Sequence, residues 1–124
     1  MNQVSKANDE ISSFIDQWLS YCHKIQNVQP STVKAYRHDI KKFIHFTTIY
    51  YEKDVNRSLL SRVDLLTLRA WVASGKRNKL SNRSLLRELS AIKNFYNWLN
   101  SHKGIDNSKI ANFSGPKLKK RLPR

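Results

Sequence analysis

The sequence is poor in acidic residues, cysteine, glycine and proline, and each shortage excludes or disfavours certain kinds of site or fold. Only nine Asp and Glu residues accompany 23 Lys and Arg residues, which leaves a formal net charge of +14. The single cysteine, Cys22, excludes an internal disulfide and a multi-cysteine zinc site. Three glycines and three prolines leave long uninterrupted segments, which favour helices over many short strands. There is no signal peptide and no apolar run of about 18 residues, so we expect the cytoplasm.

The positive charge indicates a polyanionic partner, and nucleic acid is the partner that we favour. An anionic membrane surface fits less well, because the apolar helix faces are needed for the core. With 40% hydrophobic residues in 124, the chain is expected to fold as one domain. We predict that this domain covers residues 1–115 and that residues 116–124 form a basic linker.

Apolar residues recur at helical spacing in four segments, which predicts an all-α bundle of four to five helices. The first helix covers residues 9–25, with Trp18, Cys22 and Ile25 on its buried stripe. The other three are expected at about residues 31–50, 64–74 and 82–101. Residues 51–62 are interpreted as a loop, and a short helical turn is expected near residues 108–113.

Capping residues mark the predicted helix ends. Ser31, Asp64 and Ser81 are candidate N-caps, because their side-chain oxygens can accept a hydrogen bond from a first-turn N–H group. Gly75 is expected to end the third helix in the left-handed conformation, and Gly104 to end the fourth.

The outer side of the fourth predicted helix carries groups that bind nucleic acids. The residues there are spaced by four, three, four and three: Arg83, Arg87, Ser90, Asn94 and Asn97. Their guanidinium, hydroxyl and amide groups can donate hydrogen bonds to phosphates and base edges. Lys93 flanks this stripe, and Glu88 is interpreted as a single acid to one side. Arg83 and Arg87 are the candidates for base-edge contacts; the alternative is an ordinary solvated face.

The second predicted helix repeats the pattern. Its outer side carries Lys34, Arg37, His38, Lys41 and His45, with Thr32 at the N-terminal end. Asp39 is the only acid in the body of this helix. Two such helices are expected to lie across adjacent grooves of a nucleic acid.

No catalytic set is evident in the sequence. The histidines have basic neighbours and no second ligand type at metal spacing, so neither a metal nor another cofactor is expected. Tyr36 and Tyr96 lie on apolar stripes, which favours core packing over a nucleophilic role. The tryptophans Trp18, Trp71 and Trp98 are likewise interpreted as core residues rather than as platforms for single-stranded bases.

Three segments, in this order, resemble the tyrosine recombinases, or phage integrases, and among them most of all the Xer-type recombinases. The first combines Phe14-Ile15 and Trp18-Leu19 with Ser31-Thr32-Val33-x-Ala35-Tyr36-Arg37-x-Asp39-Ile40-x-x-Phe43. The second is Leu80-Ser81-x-Arg83-Ser84-Leu85-x-Arg87-x-Leu89-Ser90-Ala91-Ile92-Lys93-x-Phe95-Tyr96-x-Trp98-Leu99. The third is Pro116-Lys117-Leu118-x-Lys120-Arg121-Leu122-Pro123.

The resemblance implies a SAM-like core-binding domain that forms one half of a clamp around duplex DNA, with its second and fourth helices crossing the major groove. It places the catalytic residues in a C-terminal domain beyond residue 124, so this chain alone is expected not to be an enzyme. The full-length protein would break and rejoin DNA strands in a synaptic tetramer, whereas the isolated domain would be a monomer. Asn107-Ser108 replaces the family's usual Asn-Pro, so the resemblance does not determine the geometry of the fifth helical turn.

By position, the resemblance assigns DNA contacts to both helices. The complete expected set combines these positions with the two stripes and the tail: Ser31, Thr32, Lys34, Arg37, His38, Lys41, Arg83, Ser84, Arg87, Ser90, Lys93, Lys117, Lys119, Lys120 and Arg121. The alternative function is a stand-alone basic helical protein that binds DNA or an acidic protein and has no recombinase activity.

Overall fold

The computed structural model describes the backbone of residues 3–113 and the side chains of residues 9–113. Within this part of the chain there are six helices and no strand, which confirms the all-α prediction. The helices are α1 (Gln3–Lys24), α2 (Pro30–Tyr51), α3 (Arg57–Arg62), α4 (Leu65–Arg77), α5 (Asn82–Lys103) and α6 (Ser108–Ala111). The predicted tail, residues 116–124, lies outside the described residues.

Helix α3 lies in the segment that was predicted to be a loop, and that prediction was wrong. The side chain of Asn56 caps this helix by accepting a hydrogen bond from the Leu59 N–H at 2.8 Å. Leu59 and Leu60 are buried against the core. Six residues are too few to show a helical period, so the stabilising contacts of α3 are visible only in the folded chain.

Three of the predicted helix ends are confirmed because they depend on local hydrogen bonds. Asp64 accepts from the Thr67 N–H at 3.0 Å, and Ser81 accepts from the Ser84 N–H at 3.1 Å. Gly104 follows α5 with a left-handed φ of 66°. Ser31 is not an N-cap: α2 begins at Pro30, where a proline is compatible with the first helical position, and Gln29 precedes it without a side-chain cap.

Gly75 was predicted to end α4, but it lies within that helix and is buried. A Cβ atom at this position would be 2.6 Å from the Leu85 side chain of α5. The glycine therefore permits close packing of α4 against α5. The left-handed residue after α4 is Lys79, with φ 63°.

The core lies beneath the crossing of α2 and α5, the two helices that pack against each other most extensively. Trp18 of α1 is fully buried there and stacks on Tyr36 of α2, with ring centroids 5.7 Å apart. Trp71 and Trp98 are also buried, which confirms their predicted core role. Ile25 is an exception to the predicted α1 stripe: α1 ends before it, and 64% of its surface is exposed.

A short helix, α6, forms directly after Asn107, at the position where the sequence left the fifth helical turn undetermined. The Asn107 side chain accepts from the Ile110 N–H and caps α6. Its amide nitrogen donates to the carbonyl oxygens of Leu60 at 3.1 Å and Val63 at 2.8 Å. Asn107 therefore connects α6 to α3 through buried hydrogen bonds. No helix among the described residues is long and apolar enough to cross a membrane.

Candidate nucleic-acid interface

One polar stripe borders the α2–α5 crossing, and the other lies on the outer side of α2. We use "α5 stripe" for Arg83, Arg87, Ser90, Asn94 and Asn97, and "α2 stripe" for Lys34, Arg37, His38, Lys41 and His45. Every member is exposed except Asn94, which is half-buried. Hydrogen bonds from Arg87 to Asp39 and from Asn94 to Gln26 tie the α5 stripe to α2 and to the turn before it. The structure therefore ties the α5 stripe to α2, whereas no side-chain hydrogen bond or ion pair among the described residues joins the two stripes to each other.

Arg87 is held by a carboxylate that the sequence analysis treated as incidental. Its Nε donates to Asp39 Oδ2 at 2.9 Å and its Nη2 donates to Asp39 Oδ1 at 2.7 Å. Asp39 is fully buried, whereas 43% of the Arg87 side chain is exposed. These hydrogen bonds raise the pKa of Arg87 above its ordinary value. A bidentate contact from the same two nitrogens to a guanine would require this pair to break, which leaves Nη1 as the group facing a ligand.

A second buried acid lies beside this pair. Glu88, expected on the solvated side of α5, is only 2% exposed. Lys42 of α2 donates to its Oε2 at 2.9 Å, and Arg87 Nη2 lies 3.9 Å from the same oxygen. Lys42 was not among the predicted residues. Both buried acids at the crossing therefore pair with cations that are themselves partly exposed.

Most of the other cations in the region have no such partner. Within the described part of the chain, no side-chain hydrogen bond or ion pair involves Lys34, Lys41, Arg83 or Lys93, and none involves the imidazole of His38. Arg37 differs, because it contacts Asp16 of α1 at 2.8 Å. That pair is exposed, with 44% and 64% of the two side chains accessible, so it is a weak interaction that a ligand can displace.

The small polar residues have more varied positions. Ser31 is exposed and Thr32 is half-buried in the first turn of α2. Ser84 is half-buried and belongs to the α5 cap, where the Ser81 hydroxyl donates to its oxygen at 3.2 Å. The four basic tail residues, Lys117, Lys119, Lys120 and Arg121, lie outside the described residues.

A chain of hydrogen bonds links the core to the surface beside the α5 stripe. The buried Trp18 donates from Nε1 to Asn94 Oδ1 at 3.1 Å, and Asn94 Nδ2 donates to Gln26 Oε1 at 3.0 Å. Gln26 lies in the turn between α1 and α2 and was missed by the sequence analysis. No periodicity marks a turn residue, so its position depends on the packing of α1 against α5.

The reactive side chains of the interior are held in their neutral forms. Burial raises the pKa of the Cys22 thiol to about 11, and Cys22 is fully buried. Burial also raises the pKa of Tyr36 and of Tyr96, whose hydroxyl donates to the Leu60 carbonyl oxygen at 2.9 Å. Within the described residues, no group of three or more His, Cys, Asp or Glu side chains is placed to hold a metal ion. The side chains of Cys22, Tyr36 and Tyr96 therefore serve to pack the core.

The amino-acid sequence matches the model of a known protein family. Residues 15–103 match the family model described as "Phage integrase, N-terminal SAM-like domain". The chain belongs to this family. The resemblance inferred from the sequence is thus confirmed.

Two of the similar curated proteins are tyrosine recombinases of Rickettsia species. The chain is 32% identical over 114 residues to the tyrosine recombinase XerC of Rickettsia prowazekii (strain Madrid E), covering 92% of this chain and 37% of that protein. It is 30% identical over 115 residues to the XerC of Rickettsia bellii (strain OSU 85-389), covering 93% and 38%. The chain thus spans little more than a third of the length of these relatives. No solved structure gives a significant match.

Proposed function

We propose that this chain is a duplex-DNA-binding domain of a tyrosine recombinase and that it holds DNA across the exposed sides of α2 and α5. The observation that carries the proposal is the group of cations on these two helices that have no acidic partner among the described residues, on a chain with a net charge of +14. Membership in the phage integrase family and the recombinase names of the relatives support it.

Two kinds of contact are expected on this surface. Lys34, Lys41 and Arg83 would neutralise phosphates and release condensed counterions, which supplies affinity without sequence preference. We also propose a base-edge contact for Arg83, because its side chain is exposed and has no partner among the described residues, whereas Arg87 is engaged by Asp39. Ser31, Thr32, Arg37, His38, Ser84, Ser90, Lys93 and the basic tail residues complete the proposed set.

We propose strand breakage and rejoining as the activity of the whole recombinase, with its chemistry outside the region described here. The proposed partners of the whole protein are duplex DNA and further protomers in a synaptic tetramer, and the proposed location is the cytoplasm. For this chain alone, we propose a monomer that binds DNA without nicking it.

The test is the salt dependence of binding to a fluorescent duplex, measured by anisotropy. The affinity should fall linearly with salt on a log–log scale, by about 0.9 per phosphate neutralised. The double variant Lys34→Gln/Lys41→Gln should reduce the magnitude of the slope by about 1.8 if each lysine contacts one phosphate.

The matched control is Lys53→Gln/Lys109→Gln, which removes the same charge from exposed positions outside both stripes. An equal loss of slope in both double variants would contradict the assignment to α2. Polyglutamate that competes as well as unlabelled duplex would indicate binding of any polyanion and would overturn the DNA-binding proposal.

A further inference from the structure

The hydrogen-bond chain from Trp18 to Gln26 has a direction that chemistry imposes. An indole N–H can only donate, so the Asn94 side chain must present its oxygen to Trp18. The amide nitrogen of Asn94 then faces Gln26 and must donate to the Gln26 oxygen. The orientation of one buried ring therefore determines which end of an exposed amide faces solvent.

The backbone of Gln26 is also held in place. Its N–H donates to the Tyr21 carbonyl oxygen at 3.2 Å, and the next residue, Asn27, takes a left-handed φ of 56°. The Val28 N–H then donates to the Cys22 carbonyl oxygen at 2.9 Å. Because both the backbone and Oε1 of Gln26 are engaged, its Nε2 is presented as a donor in a defined position.

Gln26 lines a shallow, open cleft whose side chains are suited to bind a hydrogen-bond acceptor. The cleft has a volume of about 320 Å³ and is lined by Gln26, Ser90, Lys93, Asn94 and Asn97. It contains one cation, two further amides and a hydroxyl, and no acidic side chain lines it. Ser90 and Asn97 also belong to the α5 stripe, so the cleft continues the proposed DNA-binding surface toward the α1–α2 turn.

We propose that this cleft is a DNA contact in which Gln26 Nε2 donates a hydrogen bond to an acceptor atom of the duplex and Asn94 is its positioning residue. The acceptor is a phosphate oxygen or an acceptor on a base edge. The inference rests on the proposed DNA-binding function and adds Gln26 and Asn94 to the residues that carry it.

The first test removes the donor. Gln26→Met keeps the length of the side chain but has no amide, and it should weaken binding to a duplex selected from a random pool by the wild-type chain. The expected loss is about three- to tenfold, the range for one hydrogen bond. If the wild type binds and Gln26→Met binds equally well, the inference fails while the proposed function stands. If the wild type does not bind any duplex, the proposed function itself fails.

The second test asks whether Asn94 acts through Gln26. Asn94→Asp keeps an acceptor for Trp18 but replaces the donor that faces Gln26, so the Gln26 amide should reverse and present its oxygen to the DNA. Affinity should therefore fall more than in Asn100→Asp, an exposed position of the same helix that acquires the same charge. The indole N–H resonance of Trp18 should remain shifted by its hydrogen bond, which shows that the core is intact.

A double-mutant cycle distinguishes positioning from simple charge repulsion. In the Asn94→Asp background, Gln26→Met should cause no further loss, because the donor is already turned away. In the Asn100→Asp background, Gln26→Met should keep its full effect. Additive effects in both backgrounds would contradict the role given to Asn94.

Modified duplexes identify the acceptor. If Gln26 contacts a phosphate, methylphosphonate at one backbone position should abolish the difference between wild type and Gln26→Met. If it contacts a base edge, an analogue that lacks the contacted acceptor, such as 7-deazapurine for purine N7, should have that effect instead. A difference that survives every such substitution would overturn a direct contact by Gln26.

Discussion

The α2–α5 crossing and the outer side of α2 both carry cations, but they differ in what lies behind those cations. At the crossing, Arg87 and Lys42 contact the buried carboxylates of Asp39 and Glu88. On the outer side of α2, Lys34 and Lys41 are exposed and have no acidic partner among the described residues. The first pair is held in a defined geometry, and the second is free to move toward a ligand.

Paired and unpaired cations count equally in the net charge, but they contribute differently to the surface field and to stability. An arginine bonded to a buried acid contributes little field, because the carboxylate compensates it, but it defines the spacing of the two helices. An unpaired lysine contributes its full charge to the surface and almost nothing to stability. The crossing should therefore control folding, and the outer side of α2 should control association with DNA.

The largest expected effect is at the crossing. Arg87→Met should lower the free energy of unfolding by about 3 kcal/mol, because it leaves the buried Asp39 without its partner. Arg83→Met, one turn away and exposed, should change it by less than about 0.5 kcal/mol. Urea denaturation of both variants gives the comparison.

The double variant Asp39→Leu/Arg87→Met serves as the control for Arg87→Met. Removing both charges leaves neither group buried alone, so most of the lost stability should return. If Arg87→Met is no more destabilising than Arg83→Met, the distinction between held and free cations is not valid.

An effect of intermediate size is expected at Asp64, a carboxylate held by peptide N–H groups instead of a cation. The hydrogen bond from the Thr67 N–H lowers the pKa of Asp64 below its ordinary value of 3.8. A lowered pKa means that this stabilisation is present above the unfolded-state pKa and is lost as pH falls through the folded-state pKa. Asp64→Ala should cost about 1 kcal/mol at neutral pH.

Asp64→Asn is the informative variant for the pH dependence, because asparagine caps a helix equally well and does not titrate. Its unfolding free energy should fall less steeply than that of the wild type as the pH is lowered through the acid range below about 4. Denaturation midpoints measured at several acidic pH values test this. Parallel curves for the two proteins would show that the Asp64 cap contributes nothing to acid sensitivity.

The smallest effect on stability is expected on the outer side of α2. Lys34→Gln/Lys41→Gln should leave the unfolding free energy within about 0.5 kcal/mol, since neither lysine has a side-chain partner among the described residues. At low salt a small increase is expected, because the net charge of +14 falls by two and self-repulsion decreases. A loss comparable to that of Arg87→Met would reveal a structural role for these lysines and remove the contrast between the two regions.

The features that the sequence analysis predicted correctly depend on short stretches of chain. The bodies of the long helices follow from apolar spacing, and the caps at Asp64, Ser81 and Gly104 follow from the chemistry of residues within one turn. The exposed stripes of α2 and α5 also follow from spacing. The family resemblance depends on the order of such segments, which the folded structure does not alter.

The features that were missed or wrongly predicted from the sequence depend on contacts between distant segments. Gly75 was interpreted as a helix end, but its role is to admit Leu85 of a neighbouring helix. From the sequence alone, Asp39 and Glu88 resemble ordinary surface acids, and only the packing of α2 on α5 buries them. Gln26 acquires its partner 68 positions away.

The sequence by itself therefore determined the class of this protein: an all-helical, strongly basic domain of the phage integrase family, with polar groups on two helix faces. Its charge, helical periods and caps are local properties that persist in any arrangement of the helices. The tertiary structure decided which of those polar groups are available to a ligand. Packing places buried acids behind Arg87 and Lys42 and a buried indole behind Asn94, because most buried polar groups are stable only with a hydrogen-bond partner, which here comes from a distant segment. It places no acid of the described residues against Lys34 or Lys41.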